Sequence, residues 1–332
     1  MKIDALKFGC LGLLLRAVLS LAAIAVPLAG VAADPYPSRN LRIVVSFPPG
    51  TSTDTLARTV AQRLGESLGQ AVIVENRPGA GGNVGLAIAA KAPPDGYTLT
   101  IGGAAMCINP AIYGTKVVDP LRDFSPVAKL ASTPIVIVAH PSVKANTLQE
   151  LIALAADTPQ KLAYSTPGVG TPTHVAAELL AQRANVHLLH VPYPGSGQLL
   201  ADVISGEVPV AFTLLGAAQP FLKSGQLKAI ATTGNERVAA LPHTPTVAES
   251  GYPGYEVTAW YSILVPAGTP ADVIDRLNVE LVRVVALPDV RERLLAIGMV
   301  PETSTPEQLA ANIRAEVDRW APIIKAAGIA RE

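Results

Sequence analysis

Short runs rich in Val and Ile alternate with helical stretches along most of this chain, and that alternation restricts the fold more than any other feature. The first run, residues 41–47, reads Leu-Arg-Ile-Val-Val-Ser-Phe. A Pro-Pro-Gly-Thr-Ser-Thr-Asp loop follows, then a helix with Leu56, Val60, Leu64 and Leu68 on one stripe. Further strands are predicted at 71–75, 97–101, 134–139, 162–166, 186–191, 209–214 and 227–232, with a longer one at 255–265. Helices are predicted between many of them, one opened by the capping box of Thr147 and Glu150. Helices opening near Pro270, Asp289 and Pro306 close the chain. Apolar strands separated by helices imply α/β architecture with a largely parallel sheet covered on both faces.

Two such stretches, divided by two long apolar strands, predict two lobes with a ligand cleft between them. Residues 34–133 and 256–332 would form one lobe and residues 134–255 the other. The crossovers at 132–139 and 258–265 would act as the hinge. A single wide doubly wound domain would give a similar pattern.

Lys2, Lys7 and Arg16 precede an apolar stretch, and small residues at 31–33 precede Asp34. This is the layout of an export signal cleaved near Ala33, which predicts a periplasmic protein. The apolar run after Arg16 is about a dozen residues, short of the roughly 20 that a spanning helix needs. Cys10 lies in that segment and Cys107 remains, so neither an internal disulfide nor a Cys metal cluster is available. With 26 basic and 26 acidic residues among 332, the chain has no electrostatic footprint for nucleic acid or an acidic membrane.

Two strand–loop–helix units, at 41–68 and 162–183, end a buried strand in a small, hydroxyl-rich loop that opens a helix. The first N–H groups of a helix lack internal partners and carry partial positive charge, so such ends attract anions without Arg or Lys. Neither loop contains Arg or Lys. Candidate ligand-binding residues are Phe47, Gly50, Thr51, Ser52, Thr53 and Asp54 in the first unit. In the second they are Gly170, Thr171, Thr173 and His174, with Tyr193 nearby. Asp54 serves equally well as a helix-start charge. One of Thr51, Ser52 and Thr53 is expected to be the N-cap. His174 can donate to a carboxylate or pack against its own loop, and Tyr193 can line the cleft or seal the loop after its strand. Trp260 and Met106 are first of all core residues.

No cofactor or metal site is expected. The glycines at 79–82 follow a strand, but a dinucleotide fingerprint would need Gly where Val84 stands. His187 and His190 fall on opposite faces of an extended segment. Hydrolase elbows, zincin helices and phosphate loops are absent from the sequence, so a binding protein is favoured over an enzyme.

Several motifs together carry a family resemblance. They are Tyr36-Pro37-Ser38-Arg39-Asn40-Leu41-Arg42-Ile43-Val44-Val45, Phe47-Pro48-Pro49-Gly50 with Asp54, and Val74-Glu75-Asn76-Arg77-Pro78-Gly79-Ala80-Gly81-Gly82-Asn83. Pro94-Asp95-Gly96-Tyr97, His190-Val191-Pro192-Tyr193, Leu241-Pro242-His243-Thr244-Pro245-Thr246 and Pro266-Ala267-Gly268-Thr269-Pro270 continue the set. In this order the chain resembles the Bug-type extracytoplasmic receptors of tripartite tricarboxylate transport systems. The resemblance implies a two-lobed periplasmic-binding-protein fold without enzymatic activity. It implies a small organic carboxylate held by loops 48–54 and 168–174 through backbone amides and ordered waters. The implied partners are membrane transporter subunits or, alternatively, a membrane sensor, and the receptor would be a monomer.

Departures from the pattern bear on the ligand. Thr51 and Ser52 stand where the family usually has Gly or Ser, Pro194 where a basic residue is common, and Thr213 where Asp is often found. The segment 102–107 reads as a short, apolar loop. An amine on the ligand would find few partners, which disfavours amino acids.

Overall fold

Ile43, Val44 and Val45 are wholly buried, as a strand covered on both faces requires. They belong to β1 (Leu41–Val45), followed by β2 (Val72–Asn76), β3 (Thr98–Gly103), β4 (Phe124–Ala139) and β5 (Leu162–Thr166). Then come β6 (Leu188–Pro192), β7 (Val210–Leu214), β8 (Lys228–Thr232), β9 (Thr258–Pro266) and β10 (Val300–Pro301). This computed structural model describes residues 36–157, 162–326 and 328, so the predicted export signal lies outside the described residues.

The strands run in the order β2-β1-β3-β9-β4-β7-β5-β6. β2, β1 and β3 are parallel, as are β7, β5 and β6. Between these two sets lie β9 and β4, antiparallel to their neighbours. The first part of β4 pairs with β9 and β10, and its last part, from Ile135 or Val136 to Ala139, pairs with β7 and β8. One strand thus carries the chain from one half of the sheet to the other, giving a two-lobed α/β fold.

The predicted helices are present. Leu56, Val60 and Leu64 of the Ser52–Leu68 helix are fully buried, and Leu68 at its end is half-buried. The main differences from the sequence expectation lie in β4 and in two further helices; the two-residue β10 was also not predicted, and β9 begins at Thr258 rather than 255. β4 begins at Phe124 rather than 134, because Ser125-Pro126 and Ser132-Thr133-Pro134 read as strand breakers. Its pairing with β9 shifts register between Pro126 and Ala128 and between Lys129 and Ala131, which accommodates the irregular stretch. The segment 104–113, expected to begin as a loop, is the Ala104–Tyr113 helix, and a second unpredicted helix spans Leu215–Lys223. Each contains a proline, Pro110 or Pro220, which interrupts the pattern by which helices are recognised.

Candidate functional site

The two loops singled out in the sequence are built alike. Thr51 is the N-cap of the Ser52–Leu68 helix: its hydroxyl accepts from the Asp54 N–H at 3.4 Å and donates to the Pro48 carbonyl at 2.9 Å. Thr171 is the N-cap of the Pro172–Ala184 helix, accepting from the His174 N–H at 3.3 Å and donating to the Gly168 carbonyl at 2.7 Å. Each threonine follows a glycine in the left-handed region, Gly50 at φ +80° and Gly170 at φ +78°. Each glycine N–H is taken up four residues on: Gly50 donates to Asp54 Oδ2 at 3.0 Å, and Gly170 to His174 Nδ1 at 3.3 Å.

Asp54 and His174 therefore occupy equivalent places and brace their own loops. Asp54 also accepts from Asn76 Nδ2 at 2.9 Å and Arg58 Nε at 3.0 Å. Burial opposes its charge, but the bonds from Arg58, the Gly50 backbone and Asn76 together hold its carboxyl below the usual range. His174 stacks on His190 with ring centroids 4.0 Å apart, and His190 stacks on Tyr164 at 5.0 Å. Burial, with a smaller contribution from His190, pushes His174 down to about 3, and burial pushes His190 down to about 4. Both rings are neutral at pH 7. With Nδ1 accepting from Gly170, the His174 proton sits on Nε2, 3.9 Å from Glu178 Oε1.

Between the loops is a cavity of about 500 Å³. Phe47, Gly50, Thr51, Ser52 and Thr53 line it from one side, Thr171 and Thr173 from the other. The remaining predicted residues, Asp54, Gly170, His174 and Tyr193, do not line it. Gly170 is buried, and a Cβ there would lie 3.1 Å from Ile112 of the Ala104–Tyr113 helix. Tyr193 donates its hydroxyl to Asp202 at 2.6 Å and its N–H to the Thr166 carbonyl at 2.9 Å, sealing the end of β5.

Sequence reading did not assign Ala104, Ala105, Gly195, Ser196, Gly197, Gly216, Ala217 or Ile297 to the wall. Most of these open helices: Ala104–Tyr113, Ser196–Ser205 and Leu215–Lys223 all start at the cavity, and none has a side-chain cap. A glycine pair before a helical run was the available signal at Gly102-Gly103, obscured by Pro110. The glycines at 79–82, which fail the dinucleotide fingerprint, also reach the wall through Gly81 and Gly82. Met106 and Trp260 line it too, although both remain largely buried, and the Trp260 indole N–H reaches toward Glu316 at 3.4 Å.

No Asp, Glu, Lys, Arg or His is among the lining residues. The phenol of Tyr261, pushed up to about 12 by burial against a hydrogen bond with Thr53, stays protonated at neutral pH. A wall of hydroxyls, small residues and several helix starts attracts negative charge without supplying a countercharge. It sits at the carboxyl ends of parallel strands, where open α/β sheets place their ligands.

Residues 56–329 match the model of the tripartite tricarboxylate transporter family receptor. The chain belongs to this family. The receptor is 35% identical to Protein BugT of Bordetella pertussis over 309 residues, 92% of this chain and 94% of that protein. It is similar to the solved structure of R. palustris Rpa4515 with adipate, with a TM-score of 0.82 and 35% identity over 89% of this chain and 99% of that one. It is also similar to MatC of Rhodopseudomonas palustris with bound malate, with a TM-score of 0.78 and 30% identity over 87% of this chain and 100% of that one. Family and fold are those of solute-binding receptors of tripartite transporters.

Proposed function

We propose that the receptor captures a small organic carboxylate in this cleft and presents it to the membrane subunits of a tripartite transporter. The observation that carries this reading is the wall: helix starts from both halves of the sheet surround one cavity that holds no charged side chain. The adipate and malate named for similar structures belong to the same chemical class. The protein works in the periplasm as an exported monomer, its signal cleaved near Ala33, and it does not bind nucleic acid or catalyse a reaction. Its lobes comprise residues 34–133 with 256–332, and residues 134–255, and they close about the strands that connect them.

Thermal shift with dicarboxylates, aromatic acids and their neutral amides tests the reading. Ligand in hundredfold excess over Kd adds about 2.7 kcal/mol of stability. The acids should shift the transition and the amides should not; equal shifts from acid and amide would reject an anion site.

A further inference from the structure

The polar and apolar parts of the wall are sorted by strand. Hydroxyls come from the loops after the outer strands: Thr51, Ser52 and Thr53 after β1, Thr171 and Thr173 after β5, Ser196 after β6. Inner strands β3 and β7 contribute only hydrocarbon, thioether and glycine, including Ile101, Ala105, Met106, Leu214 and Ala217, and Ile297 stands beside Gly216. The strand order sets β3, β9, β4 and β7 in the middle of the sheet, so the apolar surface is one continuous inner region flanked by two polar ones. The polar exceptions, both on β9, are engaged: the Tyr261 hydroxyl is bonded with Thr53, and the Trp260 indole N–H is directed at Glu316 at 3.4 Å.

We infer that the ligand is a carboxylate with an unsubstituted hydrocarbon body, alkyl or aryl, and that the receptor selects against hydroxy and amino acids of the same skeleton. This rests on the carboxylate reading above. A carboxylate at the hydroxyl-bearing loops places the rest of the molecule over the inner strands. A hydroxyl over the β3 and β7 contributions exchanges water for hydrocarbon and finds no side-chain partner there, and an ammonium finds no carboxylate anywhere on the lining. A second carboxylate has its own partners, because the helix starts at Ala104 and Leu215 carry no side-chain cap and offer N–H groups. The volume of about 500 Å³ lies within the range of pockets that enclose larger organic ligands, so an extended body fits.

Calorimetric titration of the whole receptor, freed of co-purified ligand, tests this with matched acids. The series is succinate, malate and aspartate, then glutarate and adipate, then hexanoate, 6-aminohexanoate and benzoate. Neutral succinamide and adipamide serve as controls. Succinate should bind at least tenfold more tightly than malate or aspartate, hexanoate should exceed 6-aminohexanoate by as much, and affinity should rise from succinate to adipate. Malate or aspartate binding as tightly as succinate would overturn the inference while leaving a carboxylate receptor intact. Diamides binding as tightly as diacids would instead overturn the carboxylate reading itself. Absence of binding by every acid in the series would overturn both.

Discussion

Asp54 and His174 show how one backbone problem is solved with two side chains. Each accepts the N–H of a left-handed glycine four residues earlier, which locks a loop at the cleft. Burying a neutral imidazole has a pH cost that burying a carboxylate does not. An unfolded histidine takes up a proton near pH 6.5. Folded His174 and His190 do so only at about 3 and about 4, so between those values the unfolded chain binds more protons. Stability is therefore fully present above about pH 6.5 and is lost as pH falls, by up to about 1.4 kcal/mol per pH unit for each ring. Urea midpoints measured from pH 7.5 to 5 should drop accordingly, and His174→Gln should remove roughly half of that slope. A midpoint that is flat over this range would show that the rings do not stay neutral. The glycines separate strain from crowding. Gly50→Ala meets nothing within 4 Å, whereas at Gly170 a Cβ lies 3.1 Å from Ile112 and 3.3 Å from Asn109. Both variants should lose about 1–2 kcal/mol through the left-handed backbone, and Gly170→Ala should lose more by chemical denaturation. Gly50→Val is then the cleaner test of the loop in binding, because the protein can still fold around it.

At the scale of helices and strands, legibility followed local chemistry. Thr147 and Glu150 form the capping box read from the sequence: the Glu150 N–H donates to the Thr147 hydroxyl at 3.2 Å and the Thr147 N–H to the Glu150 carboxylate at 3.3 Å. Thr51 and Thr171 were legible as hydroxyls at helix starts, although the sequence could not separate a cap from a ligand donor. The Ala104–Tyr113 and Leu215–Lys223 helices were not legible, because neither opens on a capping side chain and each carries an internal proline. Their starts are nevertheless two of the five that face the cleft. The β3–helix junction depends on close backbone approach: a Cβ on Gly103 would lie 2.3 Å from the Trp260 carbonyl. Gly103→Ala should therefore cost about 1–3 kcal/mol by forcing β3 and β9 apart. It should also shift Trp260 fluorescence, while Thr171→Ala, which removes a cap, should cost about 0.5–2 kcal/mol without that shift.

For the molecule as a whole, the alternation of strands and helices announced an α/β fold of two halves, but not the length of the strand that joins them. β4 is 16 residues long and paired throughout much of its course, so the halves share a continuous element rather than a loose linker. The proposed closure must then come from bending and twisting within β4 and β9. Small-angle scattering should show a smaller radius of gyration at saturating adipate, and an unchanged radius in a sample shown calorimetrically to be saturated would count against closure. The uncharged wall also has a consequence for acidity. Tyr261 is the only lining side chain that titrates in the alkaline range, and it does so near 12. From about pH 5 to pH 9 the receptor has nothing of its own to titrate at the contact surface. A plot of affinity against pH should then be nearly flat across that window for a carboxylate, whose own ionisation lies near or below its lower edge, and a slope inside the window would report a guest that titrates there.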